Sequence, residues 1–532
     1  MHKSIVSLSC AALLSFTVAA VFAGPPPPIP ANRLQPAVPA GPNPIPMMPA
    51  AGGVPVAPYT LTTLQNSHLS GVVYHGILGS LTAKAATSTG RGLRPTTQSI
   101  GGQNPLVVTP DATVQTPSIN ASADAAQDVE PSTVSLTAGG VDRTVTSYIQ
   151  YENGTDPRIH FASTTDFSTF LRGAMPAPTG YAISGDPFMD ENPYAGGVAG
   201  NRMYCVGIAY NNIANPQSAA NAIAVWHSDP SDNGNWTASA TIADNRGSGY
   251  FLDKPAMAVS WHNSTDLGYV YLAYVSYDYV NNNSAIVVAR SVDGGASFPL
   301  KTVIAYGPGP LTNNVVANPQ IIVAPGSGAV YVIWLDFGAG NIQMARSTDF
   351  GVTFGAHEIA ASGTLSTGNL NGGIRAETVP MARYNSVTNS ILLVWHDVGA
   401  NGTTEVEYAY KDVNGWHRPA SPIVQFTAND QFMPAVDFNA AGNVIVTYYD
   451  RHADGTNTAY RAYEAYLTAS GTRIDANDNW MGGFDSTATG NHFIGDYQGV
   501  WDWTFAVGER STASWIGVSS GTYDNWLTRI LY

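Results

Sequence analysis

The sequence predicts an all-β chain, a propeller of four-stranded blades with seven blades favoured and six as the alternative. Three observations carry this. Charged residues make up only 11% of the 532 residues, while Gly and Pro number 53 and 35. That composition withholds the long, ion-paired runs free of Gly and Pro that helices need. One eight-residue turn pattern recurs along the chain. Short polar-Pro openings recur every 54 to 68 residues or so, the length of one four-stranded blade.

The first 23 residues read as a signal peptide. His2 and Lys3 precede an apolar stretch from Ile5 to Ala20, and Val21 and Ala23 are the small residues before a cut after Ala23. The mature protein is therefore expected to be secreted, extracellular or periplasmic. Cleavage removes Cys10 and leaves Cys205 alone, so no internal disulfide is expected and stability must come from packing. No later run reaches 18 uninterrupted apolar residues, and no transmembrane span is expected. Residues 24–58 hold 13 of the 35 prolines and read as a disordered or polyproline linker. Residues 59–125, rich in Ser, Thr and Gly, are expected to form an irregular segment that packs on a propeller of residues 126–532. The net charge of −15 offers no footprint for a phosphate backbone or an anionic membrane surface, so nucleic acid is excluded as a partner.

Within 126–532 the turn pattern is clearest at Ser291-Val292-Asp293-Gly294-Gly295-Ala296-Ser297-Phe298 and, 56 residues on, at Ser347-Thr348-Asp349-Phe350-Gly351-Val352-Thr353-Phe354. A degenerate copy runs from Ser163 to Phe170, and Ser228 to Trp236 reads as a fourth, distorted by insertion. Asp and Ser side chains bond the turn backbone, Gly accepts a positive φ, and the aromatic packs back onto the sheet. The pattern resembles the Asp-box, or BNR repeat, of sialidase-like β-propellers. That resemblance implies a turn at the blade periphery with a structural role.

The openings are Glu130-Pro131, Asp186-Pro187, Asp253-Lys254-Pro255, Asn318-Pro319, Glu377 to Pro380, Gln431 to Pro434 and Gly495-Asp496-Tyr497. They number seven. The last unit is short, so its fourth strand is expected from upstream of residue 126; six blades follow if the first opening starts none. Innermost strands begin at the central funnel, so Glu130, Asp186, Asp253, Glu377 and Asp496 are expected to converge there, joined by Asn318 and Gln431. Crowded carboxylates raise one another's pKa, as a general acid near neutral pH requires. Asp253, Glu377 and Asp496 are the candidate acids, with Tyr448 or Tyr449, beside Asp450 and Arg451, as nucleophile or base. Asp186, Arg375, Asp450, Arg451 and Tyr497 are the candidate substrate contacts.

Sialidases bind the sugar carboxylate with three arginines and use an Asp with a Tyr and Glu pair. Here Arg375 and Arg451 supply two arginines, a third is missing, and Arg158-Ile159-His160 stands where the family's Arg-Ile-Pro would be. The resemblance therefore implies a glycoside hydrolase acting on an extracellular glycan or glycoconjugate other than typical sialosides. A non-catalytic glycan- or protein-binding propeller and a polysaccharide lyase with a Tyr base are the alternatives. No cofactor is expected: the histidines are scattered, and Trp480 occupies the place where the calcium-like run Asp475, Asn477, Asn479 would need Gly. The chain is expected to act as a monomer.

A composition this rich in proline buries no core. Deleting residues 24–58 should leave the melting temperature of the secreted protein unchanged within a degree or two, as read by calorimetry.

Overall fold

Polar-Pro openings behave as built-in β-bulges. In blade 1, Val129 pairs with Ile149 and Ser132 with Ser147, so Glu130 and Pro131 together face one residue, Tyr148. The same shift falls at Asp186-Pro187, Lys254-Pro255, Asn318-Pro319 and Met433-Pro434. Two residues opposing one define a bulge. Because the bulged residue leaves the ladder, proline's missing N–H costs no strand bond. The residue before each proline takes a left-handed backbone, with φ of 54, 53, 50, 50 and 51° at Glu130, Asp186, Lys254, Asn318 and Met433. That conformation costs about 1–2 kcal/mol for a side chain with a Cβ, so packing elsewhere must hold it. Blade 7 uses Gly495 instead, at φ 105°, and a Cβ there would come within 2.6 Å of the Glu130 nitrogen.

These features belong to a computed structural model that describes residues 113–532, apart from 124–125, 153–155, 195–199, 213–215, 262–264, 310, 312–314, 364, 366–369, 400, 420–422, 424–427, 468–478, 481–485, 488–492, 506–507, 520–521 and 532. The expected signal peptide, the Pro-rich segment and the calcium-like residues Asp475 and Asn477 lie outside the described residues.

Seven antiparallel sheets form seven blades. Their innermost strands are Gln127–Ala138, Ile183–Asn192, Tyr250–Val259, Val316–Ala324, Met381–Asn385, Gln431–Phe438 and Gly499–Phe505. Six blades run inward to outward in sequence order. The seventh takes three strands from the chain end and its outermost strand, Thr113–Asn120, from before blade 1. This strand closes the ring: the Ser118 and Thr528 hydroxyls lie 2.7 Å apart, and the Ala121 N–H donates to the Asn525 carbonyl at 2.8 Å. Closure completes the outer strand of blade 7, and the ring leaves only the short, protected edges of a propeller. Among the described residues no helix is long and apolar enough to cross a membrane.

Strand alternation sends apolar residues to both faces of each blade, where neighbouring blades stack. Trp226, Trp334, Trp395 and Trp515 are fully buried in this packing. All four copies of the turn pattern sit at one junction, between the third and fourth strands of blades 1 to 4. In blade 3, the Asp293 carboxylate accepts the Ser297 N–H (2.9 Å), the Ser297 hydroxyl (2.6 Å) and the Ser291 hydroxyl (2.7 Å). Blade 4 repeats every one of these bonds at Asp349 with the same lengths.

Equal bonding should give equal energy. Asp293→Ala and Asp349→Ala should each destabilise the protein by about 1–2 kcal/mol in urea denaturation, and a difference of more than about half that would show that the two turns are not equivalent.

Candidate functional site

The left-handed bulges turn opening side chains toward the axis, and there charges from five blades meet an amide from a sixth. Lys254 of blade 3 forms ion pairs with Asp496 of blade 7 and with Glu377 of blade 5, the latter at 3.6 Å. Arg375 pairs with Glu377 and, at 2.9 Å, with Asp496, while its guanidinium lies 5.9 Å from the Phe493 ring centre. The Asn318 amide of blade 4 donates to Glu377 at 3.1 Å and to the Thr378 carbonyl at 2.8 Å. Glu130, Asp186 and Asp253 complete the hub. None of these side chains belongs to a residue more than 6% exposed.

Five carboxylates face two cations, so the hub cannot be neutral with every acid ionised. Glu130, Asp186 and Asp253 are the surplus, and the four carboxyl oxygens of Glu130 and Asp186 have no protein donor other than each other, an arrangement that holds when that pair shares a proton. Burial, then Asp496, pushes Glu130 up to about 8. Burial, then Glu130 and Asp253, pushes Asp186 well above the usual carboxylate range. Burial alone would pull the Lys254 ammonium down, but Asp496 and Glu377 outweigh it and hold the proton more tightly than in water. Tyr497 sits against the same hub, its hydroxyl donating to the Pro187 carbonyl at 2.9 Å, and burial followed by Glu130 raises its pKa well above that of a free phenol. His396 is pushed down to about 4 by burial and stays neutral, its Nδ1 accepting the Met433 N–H at 3.3 Å.

Of the residues singled out in the sequence, Asp186, Asp253, Arg375, Glu377, Asp496 and Tyr497 therefore come together. The remaining four lie in the packing of blade 6. Tyr448 stacks on Tyr463 at 6.1 Å. Tyr449 packs between Phe432 and Tyr460, and its hydroxyl accepts the Ile516 N–H of blade 7 at 2.8 Å. Asp450 pairs with His452 at 3.0 Å. Arg451 pairs with Asp430 at 3.1 Å and lies over the Phe432 ring.

A second acidic cluster lies at the other end of the innermost strands. Their last residues, from blades 2 to 7, enclose a cavity of about 450 Å³ with Trp261, Tyr384 and Trp501 in its wall beside Asp190, Glu191, Arg383, Asp437 and Asp502. Two of its carboxylates join neighbouring blades. Asp190 accepts the Val259 N–H at 2.7 Å and Asp437 accepts the Asp502 N–H at 2.7 Å. Burial nonetheless pushes Asp190 up to about 7, against the pull of Arg383, and raises Asp437 in the same direction. Arg383 lies 3.9 Å from Asp437 and 5.4 Å from the Trp501 ring centre. Sequence reading missed this cluster. Its one local signal is an acid four residues after the left-handed bulge residue in blades 2 and 6, Asp190 after Asp186 and Asp437 after Met433.

The seven sheets make this chain a seven-bladed antiparallel β-propeller. Similar solved structures include an α-L-arabinofuranosidase from Fusarium graminearum (TM-score 0.41, 10% identity, 76% of this chain and 92% of that one) and a polysaccharide lyase, an ulvan lyase (0.45, 10%, 77% and 95%). A Trypanosoma rangeli sialidase is similar over 79% of this chain and 60% of its own (0.39, 9%). The likeness is one of architecture. No protein-family model matches the chain, and no curated protein matches it.

The raised acid at Glu130 makes stability depend on pH. The folded protein keeps this proton to about pH 8, whereas the ordinary value is 4.5, so the stabilisation is complete below 4.5 and is lost as pH rises to 8. The melting temperature of Glu130→Gln should therefore fall less steeply than that of the wild type between those limits, by several degrees over the window. Parallel curves would show that the pair holds no shared proton.

Proposed function

We propose that this chain is a secreted carbohydrate-active protein, a glycoside hydrolase on a sialidase-like scaffold that acts on an extracellular glycan other than typical sialosides. The observation that carries the reading is the cavity of about 450 Å³ at the ends of the innermost strands. Its volume falls in the range of small-molecule sites. Trp261, Trp501 and Tyr384 supply flat apolar faces of the kind that pack against a sugar ring, and burial shifts the acids beside them above the usual carboxylate range, the direction that proton transfer to a glycosidic oxygen near neutral pH requires. The one arginine of the wall, Arg383, already faces Asp437 at 3.9 Å, so an anionic sugar would find no second cation to pair with there, which disfavours it.

A non-catalytic glycan- or protein-binding propeller is the second reading, and the axial hub favours it. The opening carboxylates are buried and engaged with Lys254, Arg375 and each other, which suits a structural pin better than an acid that must reach substrate.

The purified protein incubated with starch, xylan, arabinan and mannan should release new reducing ends from at least one of them, and should leave sialyllactose intact. Binding to one of these polymers with no reducing ends would support the second reading, an ultraviolet-absorbing unsaturated product would point to a lyase, and free sialic acid would overturn the charge argument.

A further inference from the structure

The acids of the cavity wall differ in what they offer a ligand. Glu191 is 1% exposed and presents no surface to one. Asp190, Asp437 and Asp502 are only part-buried, and the Asp437 side chain keeps 15% of its surface. They line the cavity together with the part-exposed rings of Trp261 and Tyr384 and with Arg383, the only cation its wall has among the described residues.

Backbone staples fix two of these carboxylates without exhausting them. The Asp190 oxygens accept the Glu191 N–H at 2.9 Å and the Val259 N–H at 2.7 Å. The Asp437 oxygens accept the Phe438 N–H at 2.9 Å and the Asp502 N–H at 2.7 Å. A carboxylate has about four acceptor sites, so both keep room for a further donor. Asp437 is near enough to act on Asp190, and Arg383 acts on both. The wall already receives one cation between acid and ring: the Arg383 guanidinium lies 3.9 Å from Asp437 and over the Phe188 and Trp501 rings at 5.8 and 5.4 Å. Carboxylates beside aromatic faces attract an ammonium in the same way.

We propose that the cavity is a subsite for an amine-bearing sugar, whose ammonium binds Asp190 and Asp437 while the Trp261 or Tyr384 face covers its ring. The proposal rests on the carbohydrate reading above and narrows its substrate class to cationic amino sugars.

Charge supports this choice. Four carboxyls, Asp190, Glu191, Asp437 and Asp502, share the wall with one guanidinium. Burial pushes Asp190 up to about 7 and raises Asp437 in the same direction; Glu191 is raised further by burial and then by those two. The Asp502 carboxylate accepts the Ser511 hydroxyl at 2.6 Å. An ammonium supplies the counter-charge that the wall lacks and favours the ionised form of the acids it meets, so below about pH 7 its binding is linked to release of a proton. Tyr384 completes the titratable groups of the wall, and burial raises its phenol away from this range.

The test is calorimetric. The purified protein is titrated at about pH 6, where the amines are charged, with glucosamine hexasaccharide, with its fully N-acetylated counterpart and with spermidine, an amine without a sugar ring. The amino sugar should bind at least about tenfold more tightly than either of the others, the weight of one charge-assisted hydrogen bond, and its heat should vary with the buffer as the released proton is taken up. Asp437→Asn should weaken that binding about tenfold, and Arg383→Gln, which removes the competing cation, should strengthen it severalfold. A structural role would not give opposite signs. Melting curves show whether each variant is folded, and if Asp437→Asn is not, the comparison of the three ligands decides alone. Equal or tighter binding of the acetylated sugar or of spermidine would overturn the proposal, as would binding of none. Selective binding of the amino sugar, with no cleavage of it or of the polysaccharides above, would sink the hydrolase reading and leave the proposal standing. Cleavage of a neutral polysaccharide without that selectivity would do the reverse.

Discussion

Everything in this ring hangs on how seven strands are kept from collapsing onto one another at the axis. A propeller's blades converge there, and side chains of the ordinary strand pattern would either leave a void or clash. In blades 1 to 4 and 6 the bulge solves the geometry by turning one residue of the innermost strand inward on a left-handed backbone. Those residues then tie blade 3 to blades 5 and 7 through the Lys254 ammonium, and blade 4 to blade 5 through the Asn318 amide. Charges buried this deeply are expensive to desolvate, and pairing repays that only with near-complete satisfaction. The hub pairs its two cations with Asp496 and Glu377, and burial shifts Glu130 and Asp186 toward their neutral form. It therefore acts as a registry device: a blade displaced by one residue would strand a buried charge.

Both ends of the innermost strands are acidic, but they solve different problems. At the opening end Asp496 and Glu377 pair with Lys254 and Arg375. At the far end Asp190 and Asp437 are spent as staples between neighbouring strands, which frees the strand ends to splay around a cavity. Rigidity of the wall and openness of the interior thus come from the same two carboxylates. Holding a site on strand ends rather than on long loops also fixes its geometry closely.

What was legible in the sequence was what is local. The polar-Pro openings announce themselves because a left-handed residue before proline is a two-residue event, and the turn pattern because its bonds run between residues two to four apart. Counting them leads to seven blades, and their shared place along each strand leads to the meeting of Asp186, Asp253, Glu377 and Asp496. Their mode of pairing was not legible, since Lys254 and Asp496 are 242 residues apart and nothing near either names the other. Tyr448 and Tyr449 show the limit of reading type without place: strand alternation sends them to opposite faces of a strand that has blade packing on both. The cavity was hidden for a related reason. Glu191 looks like any polar residue at a strand end, and only its burial sets it apart.

The closing strand also orders events in time. Thr113–Asn120 leaves the ribosome before every other strand of the ring, yet its partner, Thr522–Leu531, is the last. The Ser118 and Thr528 hydroxyls that meet in the finished blade are 410 residues apart along the chain. At about 5–20 residues per second, the first strand waits some tens of seconds for its place, with an unpaired edge exposed throughout. Contacts this remote slow folding, and an unpaired edge is a template for pairing with a wrong chain. Synthesis speed and crowding at the moment the C-terminus emerges thus bear on the yield of closed rings, and a chain cut short by even one strand would leave its oldest edge open for good.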